Sequence, residues 1–156
     1  MEPACLPSPP IDPIELLGKD YPSFHAAVDA VEEALRTLPQ AYLPPNHTLT
    51  VGLYSRRLFM PAGSVIVSKI HRRQHQYVVL SGMATVLTAE GAARISAGQS
   101  GITEPGTRRV LFIHEDSEWM TFHPTDQTDL ESIEDDLIIP RHLLEETLTQ
   151  LSLCPG

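Results

Sequence analysis

Short runs rich in valine, isoleucine, tyrosine, threonine and phenylalanine alternate with glycine or proline between Thr48 and Phe122. The runs are TVGLYSRRLFM, SVIVSKIH, QYVVLSG, MATVLT, ARISAGQSGITEPGTRRVLFI and EWMTFH. A spacing of about 8–12 residues between such runs is typical of an all-β sandwich or barrel, not of units in which strands alternate with helices. The pattern therefore predicts a mainly β protein built around a barrel.

A helical pattern precedes the β segment. Apolar residues recur three or four positions apart, with acidic residues between them: Phe24, Val28, Val31 and Leu35. This spacing predicts one amphipathic helix from about Phe24 to Leu38, with Ser23 suited to cap its first turn. We expect its apolar stripe to cover the outside of a sheet.

The remaining segments are simpler in pattern. Residues 1–13 hold five prolines and are expected to form an extended arm, and a helical turn is predicted at Ile14–Leu17. After Pro124 an acidic connector leads to Pro140. A short amphipathic helix is predicted beyond it, through Leu143, Leu144 and Leu148.

These elements are expected to form one domain, because 156 residues are enough for one substantial core and too few for two. The arm and first helix occupy residues 1–47, the barrel residues 48–124, and the connector and last helix residues 125–156. Cys5 and Cys154 lie near opposite ends, a spacing that predicts neither a disulfide framework nor a zinc motif.

The charge distribution narrows the range of partners. The net charge is −9, which argues against nucleic-acid binding because that function needs a basic surface. Between Gly52 and His114, however, eight lysine or arginine residues stand against two acids, whereas the rest of the chain has three basic and eighteen acidic residues. A basic middle of this kind is either a solvated face or a segment that attracts a small anion.

No apolar stretch approaches the roughly 18 residues that a membrane-spanning helix needs. The first residues also lack the basic-then-apolar pattern of a secretion signal. We therefore expect a cytoplasmic protein with no membrane partner.

Glycine and histidine spacing in the β segment resembles that of the cupin family. Gly63 is followed, at the intervals of the first cupin motif, by Lys69, His71, His75 and Gly82. The second motif falls on Gly98, Glu104, Gly106, Arg109 and Ile113, and fifteen residues lie between Gly82 and Gly98. The resemblance covers about Leu53 to His123 and implies a jelly-roll-like antiparallel barrel that encloses a site for a small molecule or a metal.

The resemblance also implies four metal-ligand positions, which here are Lys69, His71, His75 and Arg109. Two of these are cations, and an arginine cannot supply a lone pair to a metal. If Lys69 and Arg109 point inward, as the motif register implies, they would instead favour a carboxylate or phosphate.

Metal binding is still possible if a third imidazole joins His71 and His75 as a ligand. Alternation along EWMTFH puts Trp119, Thr121 and His123 on one face, so His123 is the first candidate and His114 the alternative. Three neutral histidines with an open position suit a divalent ion such as iron, manganese, zinc or nickel. Tyr77 and Trp119 either stack on a ring of the ligand or fill the hydrophobic core.

Three functions remain open at this stage. The first is a cupin that binds a small anionic molecule, such as a nucleotide, a sugar phosphate or an organic acid. The second is a metal-dependent enzyme of the dioxygenase, isomerase or lyase type. The third is a ligand-free scaffold. The family resemblance implies a homodimer, and the segments GLYSRRLFMPAG, PGTRRVLF and HEDSEWMTFHPT are similar to short cupin-like proteins of phages and prophages.

Overall fold

A computed structural model describes residues 20–140 and Leu143 of the chain. Seven strands make up most of this part: β1 (Asn46–Thr50), β2 (Leu53–Met60), β3 (Val65–Val67), β4 (His75–Thr88), β5 (Gly91–Ser96), β6 (Ser100–Thr103) and β7 (Val110–Pro124). Helix α1 (Phe24–Arg36) precedes them and helix α2 (Leu130–Leu137) follows them. The predicted mainly antiparallel β-fold, with an amphipathic helix before the strands, is confirmed.

The two long strands, β4 and β7, pair with each other along their lengths and carry the other strands on their outer sides. Toward one end, β2 pairs with β7 and β6 pairs with β4, and β1 extends this half beyond β2. Toward the other end, β3 pairs with β7 and β5 with β4. The sheet thus has two halves that share the same pair of central strands.

The β4–β7 pair bends where its register shifts, between Val79 and Ala84. Gly82 lies in this stretch with a φ of 84°. A Cβ there would stand 2.6 Å from the Cα of Ser117 and would overlap the Ser117 hydroxyl. Glycine is required at this position both for the backbone conformation and for the close approach of β7.

The main core joins the two halves of the sheet and is filled by side chains. Its buried members are Met60, Val79, Ala84, Val86, Leu111, Ile113 and Trp119. Ala84 and Val86 of β4, and Leu111 and Ile113 of β7, are two residues apart, so each pair lies on one face of its strand.

Helix α1 packs on the outside of the sheet, as its apolar stripe predicts. Val28 and Val31 are fully buried against Val110, with Phe24 and Leu35 at the edges of the contact. The Ser23 hydroxyl accepts the backbone N–H of Ala26 at 3.1 Å, which confirms Ser23 as the N-cap.

Helix α2 lies within the segment that the sequence predicts as an acidic connector, so that part of the prediction is wrong. Asp129 caps its first turn, and Ile133 and Leu137 pack on Tyr54 of β2. Of the helix predicted beyond Pro140, only Leu143 is described, with its N–H donating to the Pro140 carbonyl.

The predicted extended arm, the turn at Ile14–Leu17, Cys5, Cys154, Leu144 and Leu148 lie outside the described residues. Neither α1 nor α2, the two helices in the described part of the chain, is long and apolar enough to cross a membrane.

Candidate metal centre and ligand pocket

Three histidines from separate parts of the chain converge at one end of the sheet. The ring centroids of His71 and His75 are 4.2 Å apart, those of His75 and His123 are 4.5 Å apart, and those of His71 and His123 are 5.0 Å apart. One nitrogen from each ring lies within 4.8 Å of the corresponding nitrogens of the other two. This spacing allows a single ion to be bound by all three.

Sheet register brings His75 and His123 together. Gln76 of β4 pairs with Phe122 of β7, so the adjacent residues His75 and His123 lie side by side on the opposite, inner face. Both are buried, at 8% and 3% exposure. The inward position of His123, expected from alternation along EWMTFH, is what the structure shows.

His71 is positioned by the segment between β3 and β4, which pairs with the chain after α2. His71 forms an isolated antiparallel bridge with Ile138. On either side, the N–H of Arg72 donates to the Leu137 carbonyl at 2.8 Å and the N–H of Ile139 donates to the Ile70 carbonyl at 2.9 Å. The end of α2 therefore holds the third imidazole in place.

The three imidazoles are neutral at pH 7. Burial lowers the pKa of His71 to about 3, that of His75 to about 4 and that of His123 to about 3. After burial, mutual repulsion contributes for His71 and His123, and the charge of Arg56 lowers the pKa of both. Neutral rings keep the lone pair that metal coordination needs.

Contacts around the cluster orient its rings. His123 Nε2 lies 2.8 Å from the Thr121 hydroxyl, and the Tyr54 ring stacks on His123 with centroids 5.6 Å apart. The Tyr54 hydroxyl is in turn 2.6 Å from Nδ1 of His47. His75 Nδ1 is buried and lacks a hydrogen bond of normal geometry among the described residues, although the Arg73 backbone is near enough to raise the pKa of His75.

A pocket of about 270 Å³ opens beside the cluster, between α2 and the inner face of β1, β2 and β7. The described residues that line it are Pro45, His47, Tyr54, Arg56, Lys69, His71, His123, Leu130, Ile133, Glu134, Leu137 and Ile138. The expected small-molecule space therefore lies at one end of the sheet, under α2, and the centre of the fold is packed with apolar side chains.

Lys69 does not point into the interior as the motif register implies. Its ammonium forms an ion pair with Glu134 of α2, and the side chain is 53% exposed at the mouth of the pocket. The physical reason is the helix in the connector, which places a carboxylate opposite Lys69. The sequence pattern had indicated an acidic connector there and no helix.

Arg109 lies on the inner side, next to the cluster. Its guanidinium carbon is 4.9 Å from the centre of the Tyr77 ring, and its charge contributes to the lowered pKa of His75. Tyr77 stacks in turn on Trp119, with centroids 5.4 Å apart. Trp119 is 6% exposed and belongs to the core, so its packing explains its position without a ligand.

His114, the alternative third ligand, is not part of the cluster. Its Nε2 lies 2.6 Å from the Thr85 hydroxyl on the exposed side of β7. Its neighbour Ile113 is buried in the core. Successive side chains point to opposite faces of a strand, and His114 is therefore directed outward.

Arg56 is one of several pocket residues that were not predicted from the sequence, and it is the one with a full positive charge. It pairs in register with His47 on one side and Thr121 on the other, on the face that carries Tyr54. Alternation in LYSRRLFM would have placed it inward, because Tyr54, Leu58 and Met60 of the same strand face the core or the pocket.

No family model matches the chain, and no curated protein matches its sequence. Several solved structures are similar in fold. A cupin-2 domain containing protein from Shewanella frigidimarina NCIMB 400 is 10% identical, with a TM-score of 0.46 over 61% of this chain and 92% of that one. A protein of Klebsiella pneumoniae with a double-stranded beta-helix domain is 19% identical, with a TM-score of 0.49 over 58% of this chain and 84% of that one.

A cupin superfamily protein from Desulfitobacterium hafniense DCB-2 is 9% identical, with a TM-score of 0.48 over 59% of this chain and 88% of that one. These likenesses are of fold alone. The similarity to phage proteins stays a prediction.

Proposed function

We propose that the protein binds one divalent transition-metal ion through His71, His75 and His123 and presents it to a small anionic molecule in the adjoining pocket. The observation that carries the proposal is the convergence of three buried imidazoles whose nitrogens lie within 4.8 Å of one another. Three histidines with an open coordination position form an accepted site for zinc and related ions.

The state of the three side chains supports metal binding. All three have a lowered pKa and are neutral at pH 7, so no proton has to leave before coordination. The contacts of His123 with Thr121 and Tyr54 correspond to the outer interactions that usually orient metal-binding imidazoles. When bound, such an ion supplies Lewis acidity toward an oxygen atom of a ligand.

The charge around the cluster supports an anionic ligand. Three neutral imidazoles leave the two charges of a divalent ion uncompensated, and Arg56 and Arg109 add further positive charge nearby. Glu134, the acidic residue among those that line the pocket, is already paired with Lys69. A ligand with a carboxylate or phosphate would balance this excess positive charge.

Metal content of the untagged protein, measured by mass spectrometry after loading with zinc, manganese or iron and removal of free ions, tests the proposal. We expect about one ion per chain in the unchanged protein. His123→Ala and His75→Ala are each expected to lower the bound fraction at least tenfold, because each removes one of three ligands.

His114→Ala is the matched control, since it removes an exposed histidine from the same strand as His123. It is expected to leave the metal content unchanged. The proposal is wrong if the unchanged protein retains none of these ions, or if His114→Ala lowers the content as much as His123→Ala does.

A further inference from the structure

Among the cations of the basic middle, Arg56 and Arg109 both lie inward without an ion pair to any described residue, and of these two Arg56 lines the pocket, whereas the Arg109 guanidinium lies over the Tyr77 ring. Arg57 pairs with Glu118, Lys69 with Glu134, Arg73 with Asp136 and Arg108 with Asp29 and Glu32. The Arg56 guanidinium forms no hydrogen bond or ion pair with any of residues 20–140 or with Leu143, although its charge acts on the nearby Glu134. A guanidinium directed into a pocket with its donors unused is suited to bind an oxyanion through its planar fork.

The pocket has two chemically distinct walls. The sheet side carries His47, Tyr54, Arg56 and His123, which are polar or charged. The opposite side is formed by α2 and the residue after it, with the apolar side chains of Leu130, Ile133, Leu137 and Ile138. A ligand that satisfies both walls has an anionic group at one end and an apolar body at the other.

The size of the pocket limits the ligand further. Its volume of about 270 Å³ is near the lower end of the roughly 300–1,000 Å³ typical of ligand sites. A nucleotide or sugar phosphate also carries many hydroxyl groups, for which the α2 wall offers no hydrogen-bonding side chain except Glu134. The geometry therefore favours an organic acid among the three anion classes considered.

We infer that the pocket binds a small monocarboxylate with an apolar body, whose carboxylate is held by Arg56 and whose body lies against α2. The inference rests on the proposed function in placing this acid beside the metal centre, but the Arg56 contact itself does not require the metal. Arg56 is then the residue that selects the anionic end, and Leu130 and Ile138, which are less buried than Ile133 and Leu137, contribute to the surface that accepts the apolar end.

Calorimetric titration of the zinc-loaded protein with benzoate tests the inference, with benzamide, acetate and cyclohexanecarboxylate as comparisons. We expect benzoate and cyclohexanecarboxylate to bind at least tenfold more tightly than benzamide, which has no charge. They should also bind at least tenfold more tightly than acetate, which has no apolar body to bury.

Arg56→Met is the key variant, because it keeps the length of the stem and removes the fork. It is expected to weaken benzoate binding at least tenfold while leaving metal content unchanged. Arg57→Met is the matched control, since Arg57 is the next residue on the same strand, lies on the opposite face and pairs with Glu118. We expect it to leave benzoate binding within twofold of the unchanged protein, with circular dichroism confirming that both variants fold.

Equal binding of benzoate and benzamide, undiminished binding in Arg56→Met, or an equal loss in Arg57→Met would each overturn the inference. Failure of the two proposals is distinguishable. If the protein holds no metal but binds benzoate through Arg56, the proposed metal function is wrong and the carboxylate site stands. If metal binds and Arg56→Met changes nothing, the metal site stands and the carboxylate assignment is wrong.

Discussion

Individual side chains acquire their roles from which face of a strand they occupy. His123 and His114 belong to one strand, yet His123 joins the imidazole cluster while His114 contacts Thr85 on the outside. Arg56 and Arg57 are adjacent, yet Arg56 lines the pocket while Arg57 pairs with Glu118. The strand period of two is therefore enough to separate functional from surface positions, provided that one inward residue of the strand is known.

The buried histidines predict a specific pH dependence of stability in the metal-free protein. Their pKa values, about 3 to 4 in the folded state, lie below the ordinary value of 6.5. Between these limits the unfolded chain binds protons that the folded chain does not, so stability is complete above pH 6.5 and is lost as the pH falls toward 4. Each such histidine contributes a slope of up to about 1.4 kcal/mol per pH unit in this interval.

Urea unfolding of the chelator-treated protein between pH 7.5 and pH 4.5 measures this slope. His75→Gln is expected to flatten it, whereas His114→Gln, which removes an exposed imidazole, is expected to leave it unchanged. Burial also lowers the pKa of His25, which therefore adds to the same pH dependence of stability in the unchanged protein and in both variants. An unfolding free energy that is constant across this range, or equal flattening in the two variants, would contradict the assigned pKa shifts.

Among the elements, helix α1 is attached to the sheet by a buried cation as well as by its apolar stripe. The Arg108 guanidinium is 4% exposed and donates to Asp29 at 2.7 Å, to Glu32 at 3.1 Å and to the His25 carbonyl at 3.2 Å. These contacts are not readable from the sequence, because the partners of Arg108 lie more than 75 residues earlier in the chain.

Replacing this cation should destabilise the protein far more than replacing a surface arginine of the helix itself. Arg108→Met leaves the carboxylates of Asp29 and Glu32 without their buried cation. We expect it to lower the free energy of unfolding by about 2 to 3 kcal/mol. This is less than the loss for a fully buried pair, because Asp29 is partly exposed. Arg36→Met removes ion pairs with Glu32 and Glu33 at a side chain that is 55% exposed. It should lower the free energy of unfolding by about 0.5 kcal/mol or less.

Denaturant unfolding of the two variants checks this difference. Equal destabilisation would show that the Arg108 contacts do not hold α1 on the sheet.

Helix α2 shows why the pocket was predicted only in part. Leu130, Ile133 and Leu137 are spaced three and four residues apart, and Asp129 caps the helix, so a helical signal was present in the segment. The density of acidic residues led instead to the prediction of a connector. Because helix α2 was not predicted, the ion pair between Lys69 and Glu134 could not be predicted either. Lys69 was therefore assigned to ligand binding.

At the scale of the whole molecule, the mainly β class of the fold was predictable from spacing and glycine positions. The long strands were not, because the runs QYVVLSG and MATVLT form one strand, β4, through the bend at Gly82. His71, His75 and His123 were predicted as the first-choice ligand set, and the structure brings them together. Arg56 was missed although strand alternation places it inward, because the pocket that it lines forms only where β1 and α2 come together.

The central claim concerns a metal ion at the meeting point of three separated histidines, and crystallography at a metal absorption edge tests it most directly. For the zinc-loaded protein, we predict one anomalous peak per chain, at about 2.0–2.1 Å from one nitrogen each of His71, His75 and His123. A fully loaded crystal with no peak at this position, or with its peak bound by other side chains, would contradict the account.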